Sequence, residues 1–350
     1  MRGFSVVQRH PSLRWLVPLA CVSAVVAVVV ESVGTSNSDP SLPLVSVKSL
    51  VADVEGAHPS FSGAVVAQLS DGAGALGSLA PVASLAALEA GTHSLLVWYG
   101  GRSRQRVAVV GALAETDVFQ VGSDMWQWNS AQRVAVHSTI PAYSRTIASI
   151  GTLPASLTPI DLALDALAAS DIDTSISIAG AETVANRPVY GLVLRPMSAD
   201  TLIDYVYIAV DGATKTPLGV QVYSRGSSDP AIDVSFTDVR FAPQPANTFM
   251  FAPPDGATVR DEVRRPAAST VSVTTHGRGW TSVLCVKGST VSDKDLPAPA
   301  SSAVQPSKVT GGWGKGRLVQ LPLVSVLVTN DGRLYAGAVP PDVLYAAAKK

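Results

Sequence analysis

Apolar and polar positions alternate at period two through most of the chain, most densely between Tyr190 and Phe251. Tyr190–Arg195, Asp204–Val210, Leu218–Tyr223, Ile232–Phe236 and Thr248–Ala252 each read as a strand. β-Branched and aromatic residues fill them, and Gly, Pro, Asp and Ser bound them, as in a meander. The period recurs upstream in Phe61–Leu69, His93–Tyr99, Arg104–Val110, Glu115–Val121, Met125–Trp128 and Arg133–Ser138, with Gly100-Gly101 and Gly122-Ser123-Asp124 as turns. Thr174–Ile178 and Glu182–Ala185 lead into the downstream ladder. Trp280–Val286 is expected to be a strand, and Leu318–Thr329 pairs with Arg333–Ala338 across Asn330-Asp331-Gly332.

Helical spacing appears in three places. Val47, Leu50, Val51 and Val54 predict an amphipathic helix within Val45–His58, ended by Pro59. Thr158–Ser170 has a strong start, with Thr158 as N-cap, Pro159 first and Asp161 third, and Ile160, Leu162, Leu164 and Leu167 supply its apolar surface. Pro340–Ala348 closes the chain. Asp71–Thr92, rich in Gly, Ala, Ser and Leu, reads as a long loop with the character of a lid.

The elements divide the chain into a basic segment 1–15, an apolar segment 16–30, a linker 31–44, a mostly-β domain 45–259, a linker 260–278 and a small C-terminal domain 279–350 with a flexible insertion 289–316. Leu16–Val30 is free of charge; Arg2, Arg9 and Arg14 precede it and Glu31 and Asp39 follow. That asymmetry keeps the basic flank cytoplasmic and puts the bulk of the chain outside. The length suits a signal-peptide core or a short span. With no A-x-A site downstream, an uncleaved signal anchor is favoured over a cleaved peptide. Leu19-Ala20-Cys21 hints at a lipoprotein signal, but Pro18 and the apolar run beyond Cys21 favour a residue of the membrane helix.

The formal charge is −1, so no global field recruits nucleic acid. Hydrophobic residues make up 47% and charged residues 15%, with a mean hydropathy of +0.28, which calls for an apolar interior or an exposed apolar surface. The two cysteines, Cys21 and Cys285, lie in the apolar segment and in a strand, so no intrachain disulfide is expected. From Asp261 onward eleven Lys/Arg face six Asp/Glu, a mildly basic surface for which solvation is favoured over anionic lipid. The five histidines have no metal-ligand spacing, and CxxC, HExxH, G-x-S-x-G, P-loop and Rossmann patterns are missing. No enzyme activity, cofactor, metal or catalytic residue is expected.

Trp126 and Trp128 share one side of their strand, either as core packing or as the aromatic wall of a cavity. Tyr205 and Tyr207 share one face, and Val206, Ile208 and Val210 the other. Both faces are apolar enough for burial, so the face lining a cavity stays open. A curved sheet with a helix on its concave side encloses space that side chains or a ligand must fill. The candidate lining residues are Val65, Val97, Tyr99, Phe119, Trp126, Trp128, Leu164, Tyr190, Leu192, Tyr205 and Tyr207.

Several stretches resemble actinobacterial membrane-anchored proteins of the LolA-like lipoprotein-carrier superfamily, which includes relatives of LolA, LolB, LppX and RseB/MucB. They are Leu95–Tyr99 with Gln105–Val107, Met125–Trp128, Arg187–Leu194, Ile208–Asp211 with Pro217-Leu218 and Gln221-Val222, and Phe249–Phe251 with Pro253–Ala257. Gly279–Ser282, Leu323–Leu327 and Asp331-Gly332 resemble the extra domain of RseB-type regulators. The resemblance implies an α+β, mostly β fold: an unclosed antiparallel β-barrel with helices plugging its concave side, followed by a small C-terminal α+β domain. It implies an apolar cavity for a lipid or an acylated lipoprotein and no covalent chemistry, or, on the RseB/MucB pattern, an anti-sigma factor or other envelope protein as partner. The anchor and the second domain depart from soluble carriers and point to a tethered binder or sensor.

Overall fold

The structure, a computed structural model, describes residues 42–70, 91–101, 103–111, 114–139, 158–262, 272–287 and 306–349. The apolar segment 16–30, residues 71–90 of the expected lid and residues 289–305 of the expected insertion lie outside the described residues.

Twelve strands form one sheet. In chain order they are β1 (Phe61–Leu69), β2 (Gly91–Tyr99), β3 (Arg104–Val110), β4 (Glu115–Val121), β5 (Asp124–Asn129), β6 (Val134–Thr139), β7 (Thr174–Val184), β8 (Arg187–Pro196), β9 (Ile203–Asp211), β10 (Pro217–Ser224), β11 (Pro230–Phe241) and β12 (Thr258–Glu262). Their order across the sheet is β12-β6-β5-β4-β3-β2-β1-β11-β10-β9-β8-β7. Two meanders, β1–β6 and β7–β11, are joined by the antiparallel pairing of β1 with β11. Among the described residues β12 alone runs parallel to its neighbour, β6. The sheet has two ends and is therefore unclosed, while β7 curls back toward β11. Register shifts at Ala64/Val65 and at Ala179/Ala181 mark bulges, which bend strands and increase local twist.

Helix α1 (Val47–Gly56) is capped by Ser46, whose Oγ accepts the Ser49 N–H at 3.1 Å. It ends at Gly56, three residues before the expected stop at Pro59. Helix α2 (Pro159–Ala169) starts as its sequence predicts: the Thr158 hydroxyl accepts the Asp161 N–H at 3.2 Å and donates to the Asp161 carboxylate at 2.7 Å. Both helices share one core with the sheet.

A second sheet holds β13 (Ser272–His276), β14 (Val283–Lys287), β15 (Ser307–Gly311), β16 (Gly314–Gln320), β17 (Ser325–Thr329) and β18 (Arg333–Gly337), in the order β13-β14-β18-β17-β16-β15. Helix α3 (Pro341–Ala348) packs on β17 and β18. Cys285, Leu327, Tyr335 and Leu344 form the core between them. The two sheets meet through hydrogen bonds: Ala338 O accepts from Leu202 N at 2.8 Å and from the Thr201 hydroxyl at 2.9 Å, and Trp280 Nε1 donates to the Thr174 hydroxyl at 2.9 Å. Trp280 and Leu323 are buried in the core of the larger sheet.

Six stretches differ from the sequence-based expectation. Thr248–Ala252 is no strand: Ala246–Phe249 is a 3-10 turn followed by irregular chain. Pro243, Pro245, Pro253 and Pro254 have no N–H to give to a ladder; Phe249 is buried and Phe251 half-buried where the segment crosses the sheet instead. Leu318–Thr329 breaks at Pro322, where Leu321 N bonds Val324 O at 2.8 Å, so β16 and β17 are separate strands. Thr174–Ile178 and Glu182–Ala185 merge into the single bulged strand β7. Gly279–Thr281 is a 3-10 turn before β14, with Gly279 at φ +52° against α2, where a Cβ would meet Ala169 O at 2.7 Å. Strands β12 and β13 occupy both ends of the stretch read as a linker. Residues 307–316, read as insertion, form β15 and the start of β16, pinned by buried Trp313 stacked on Tyr345 at 5.5 Å.

Candidate functional site

Strand register sorts the side chains onto two faces with different chemistry. Val65 lies opposite Leu95 and Phe236, Val97 opposite Val107, and Ile208 opposite Leu192 and Val220. All point to one face and are buried, under cover of Leu50 and Val54 from α1 and Ile160, Ala163 and Leu167 from α2. α2 rests on β10 and β11, and α1 on α2 and β7. This inner face is a continuous apolar layer between sheet and helices.

Of the candidate lining residues, Val65, Val97, Tyr190 and Leu192 are buried on the inner face. Tyr99 is half-buried there, stacked on Phe61 at 5.3 Å, and Leu164 packs on the same core from α2. The Tyr190 hydroxyl donates to Pro43 O at 2.8 Å, which pins the chain entering α1. Phe119, Trp126, Trp128, Tyr205 and Tyr207 lie on the opposite, outer face. The shared side of each i, i+2 pair is as expected, but the structure does not bring the eleven residues together. Phe236 and Ile160 belong to the inner layer and lie outside the sequence-based candidate set, although the Ile232-Val234-Phe236 alternation carries the signal for the first.

The outer face carries a row of directly opposed residues across six strands: Trp98, Arg106, Phe119, Trp126, His137 and Asp261. The Arg106 guanidinium lies 4.7 Å from the Trp98 and Phe119 ring centres and donates to Asp117 Oδ1 at 2.9 and 2.7 Å. Phe251 packs on Phe119, Trp126 and Trp128 at 5.0, 5.5 and 6.0 Å. Trp126 and Trp128 thus pack against the crossing segment. At the other end of the sheet Tyr205 stacks on Tyr223 at 4.2 Å, with Arg195 over the Tyr205 ring at 4.8 Å.

Among the described residues no three His, Cys, Asp or Glu side chains are grouped to hold a metal, and no helix is long and apolar enough to cross a membrane. Burial pushes the Asp161 carboxyl at the head of α2 up to about 7; the Thr158 hydroxyl opposes this and the charge of Asp165 adds to it.

An unclosed, mostly-β sheet thus carries helices on one face and is followed by a second small sheet. No family model matches the chain, and no curated protein matches it. Among solved structures it is similar to MucB in the Pseudomonas aeruginosa MucA/MucB complex, at 15% identity over 86% of this chain and 95% of that one, TM-score 0.44. It is also similar to MucB in complex with MucA(peri), at 15% identity over 87% and 97%, TM-score 0.46. A LolA superfamily protein from Nitrosomonas europaea is similar at 12% identity over 59% and 99%, TM-score 0.24. At these scores the likeness is distant, and nothing about a site or ligand follows from it.

Proposed function

We propose that the chain is a membrane-tethered extracytoplasmic binding protein that holds a lipid or lipoprotein acyl chain between the inner sheet face and helices α1 and α2. The observation that carries this reading is the apolar layer in which Leu50, Val54, Ile160 and Leu167 share one buried core with Val220 and Phe236. An acyl chain offers the sheet the same kind of contact as the helices do, about 0.8 kcal/mol per buried methylene, so it exchanges with them at little net cost. Val65, Val97, Tyr99, Leu164, Tyr190 and Leu192 are the lining residues in this reading. Leu16–Val30 with its basic flank supplies the tether and places the bulk of the chain outside the cell membrane; resistance to alkaline extraction from membranes checks this.

The test of binding is native mass spectrometry with solvent extraction on protein produced in an envelope compartment. Co-purified lipid near one-to-one supports the reading. Empty protein that also takes up no added fluorescent fatty acid overturns it.

The second sheet favours another reading: a regulator of RseB/MucB type that binds an anti-sigma factor or another envelope protein. Its bonds to the first sheet at Thr201, Leu202 and Thr174 couple any docking there to the larger fold. MucB is solved in complex with MucA. Loss of a captured envelope partner in Trp280→Ala, with lipid content unchanged, supports this reading; retention counts against it.

A further inference from the structure

We propose that His137 is a pH-operated latch that holds β12 on the edge of the larger sheet. β12 is five residues long and, among the described residues, pairs with β6 only. It is the last strand of this sheet before the chain passes to β13 in the other one. His137 stands directly opposite Asp261 of β12 and Trp126 of β5. Its Nδ1 lies 3.1 Å from Asp261 Oδ1 and its Nε2 lies 2.6 Å from Asp124 Oδ1, while the ring stacks on Trp126 at 4.4 Å.

Both ring nitrogens therefore face carboxylate oxygens. Imidazolium has two N–H donors and the neutral ring has one, so only the protonated ring bonds both carboxylates. Removing the proton sets a nitrogen lone pair against an anionic oxygen. Asp261 is the partner released, because its contact is the longer and its side chain the more exposed, 73% against 52% for Asp124. The Trp126 face also favours the cation.

Asp124 and Asp261 are the charged groups that meet the ring from β5 and β12. Arg133, at the head of β6, bonds Asp255 O at 2.6 Å, and Arg133 O accepts Thr258 N at 2.9 Å. These two bonds carry no titrating partner, so β12 stays fixed at its Thr258 end and frays from Asp261. The bond to Asp124 is the main cause that raises the imidazole above its usual range; partial burial opposes it, and Asp261 adds to the rise. The latch is closed below the ordinary imidazole value and opens as pH rises through the raised one. Opening uncovers the β6 edge and lengthens the connection to the second sheet.

The experiment is hydrogen exchange on the full chain from about pH 5.5 to about pH 8.5, spanning imidazole titration and corrected for intrinsic rates. Protection of the Val259–Glu262 amides is expected to fall several-fold with rising pH, while amides of β9 stay protected. His137→Gln removes the titration and should leave β12 protection low and flat. Asp261→Asn, a change at an exposed position, should flatten it without disturbing the fold. β12 protection that does not change with pH, or that falls equally in His137→Gln, overturns the latch.

Discussion

Asp161 and Asp211 show how the same residue type acts with opposite sign in two settings. At Asp161 burial dominates and the carboxyl titrates at about 7, far above the ordinary 3.8. The native state therefore holds a proton that the unfolded chain has released, and stability falls as pH rises from about 4 to about 7, then levels. Asp161→Asn should flatten that slope in urea midpoints measured across the range; an unchanged slope would assign it to other groups. Asp211 is fully buried, and burial alone would raise its carboxyl. The Arg187 fork at 2.6 and 3.0 Å and the Thr214 N–H at 2.7 Å outweigh that and hold it below the usual range. Its stabilisation is present above the ordinary carboxylate value and lost as pH falls through the lowered one. Asp211→Ala should cost about 3 kcal/mol by leaving Arg187 without its partner, read by chemical denaturation near neutral pH. Neither environment was legible locally: Asp161 reads as a helix-start residue and Asp211 as a turn residue, and their burial is set by chain far away.

Elements were legible where one period dominated and the flanks agreed. β1 has the bounds that alternation predicts, β17 and β18 meet at the expected Asn330-Asp331-Gly332 turn, and α2 has its expected cap. Thr248–Ala252 misled because its alternation is genuine while its surroundings are not those of a strand: prolines on both sides remove ladder donors. Leu318–Thr329 misled for the same reason at Pro322. Alternation also hid which face of each strand is dry. Leu192 and Leu96 are both strand leucines, but Leu192 is fully buried beneath the helices and Leu96 is 39% exposed on the outer face. Leu192→Ala should cost about 2–5 kcal/mol by cavity formation, and Leu96→Ala within about 0.5 kcal/mol, both measured by thermal or urea unfolding. Equal costs would contradict the assignment of the faces.

At the scale of the whole molecule, the binding reading separates two surfaces that sequence treated as one. Leu164→Lys, on the inner side of α2, should strongly reduce uptake of a fluorescent fatty acid. Trp128→Glu, on the outer face, should leave uptake within about twofold of wild type, since a side chain there contributes cover rather than contact to an inner ligand. The reverse pattern would move the site to the outer aromatic row. The second sheet was visible as separate elements, but its attachment was not. Trp280 reaches Thr174 across more than a hundred residues, and no local pattern announces that bond.

Sequence by itself determined most of the strands, the helices, the meander order and the pairing of side chains at i and i+2, because these depend on neighbours within a few residues. Tertiary structure alone decided which face of the sheet the helices cover, that Trp126 and Trp128 stand outside, and that His137 meets Asp124 and Asp261. A one-residue change of register reverses every face at once, and register is set by the closing of strands such as β1 on β11 and β6 on β12, which lie far apart in the chain.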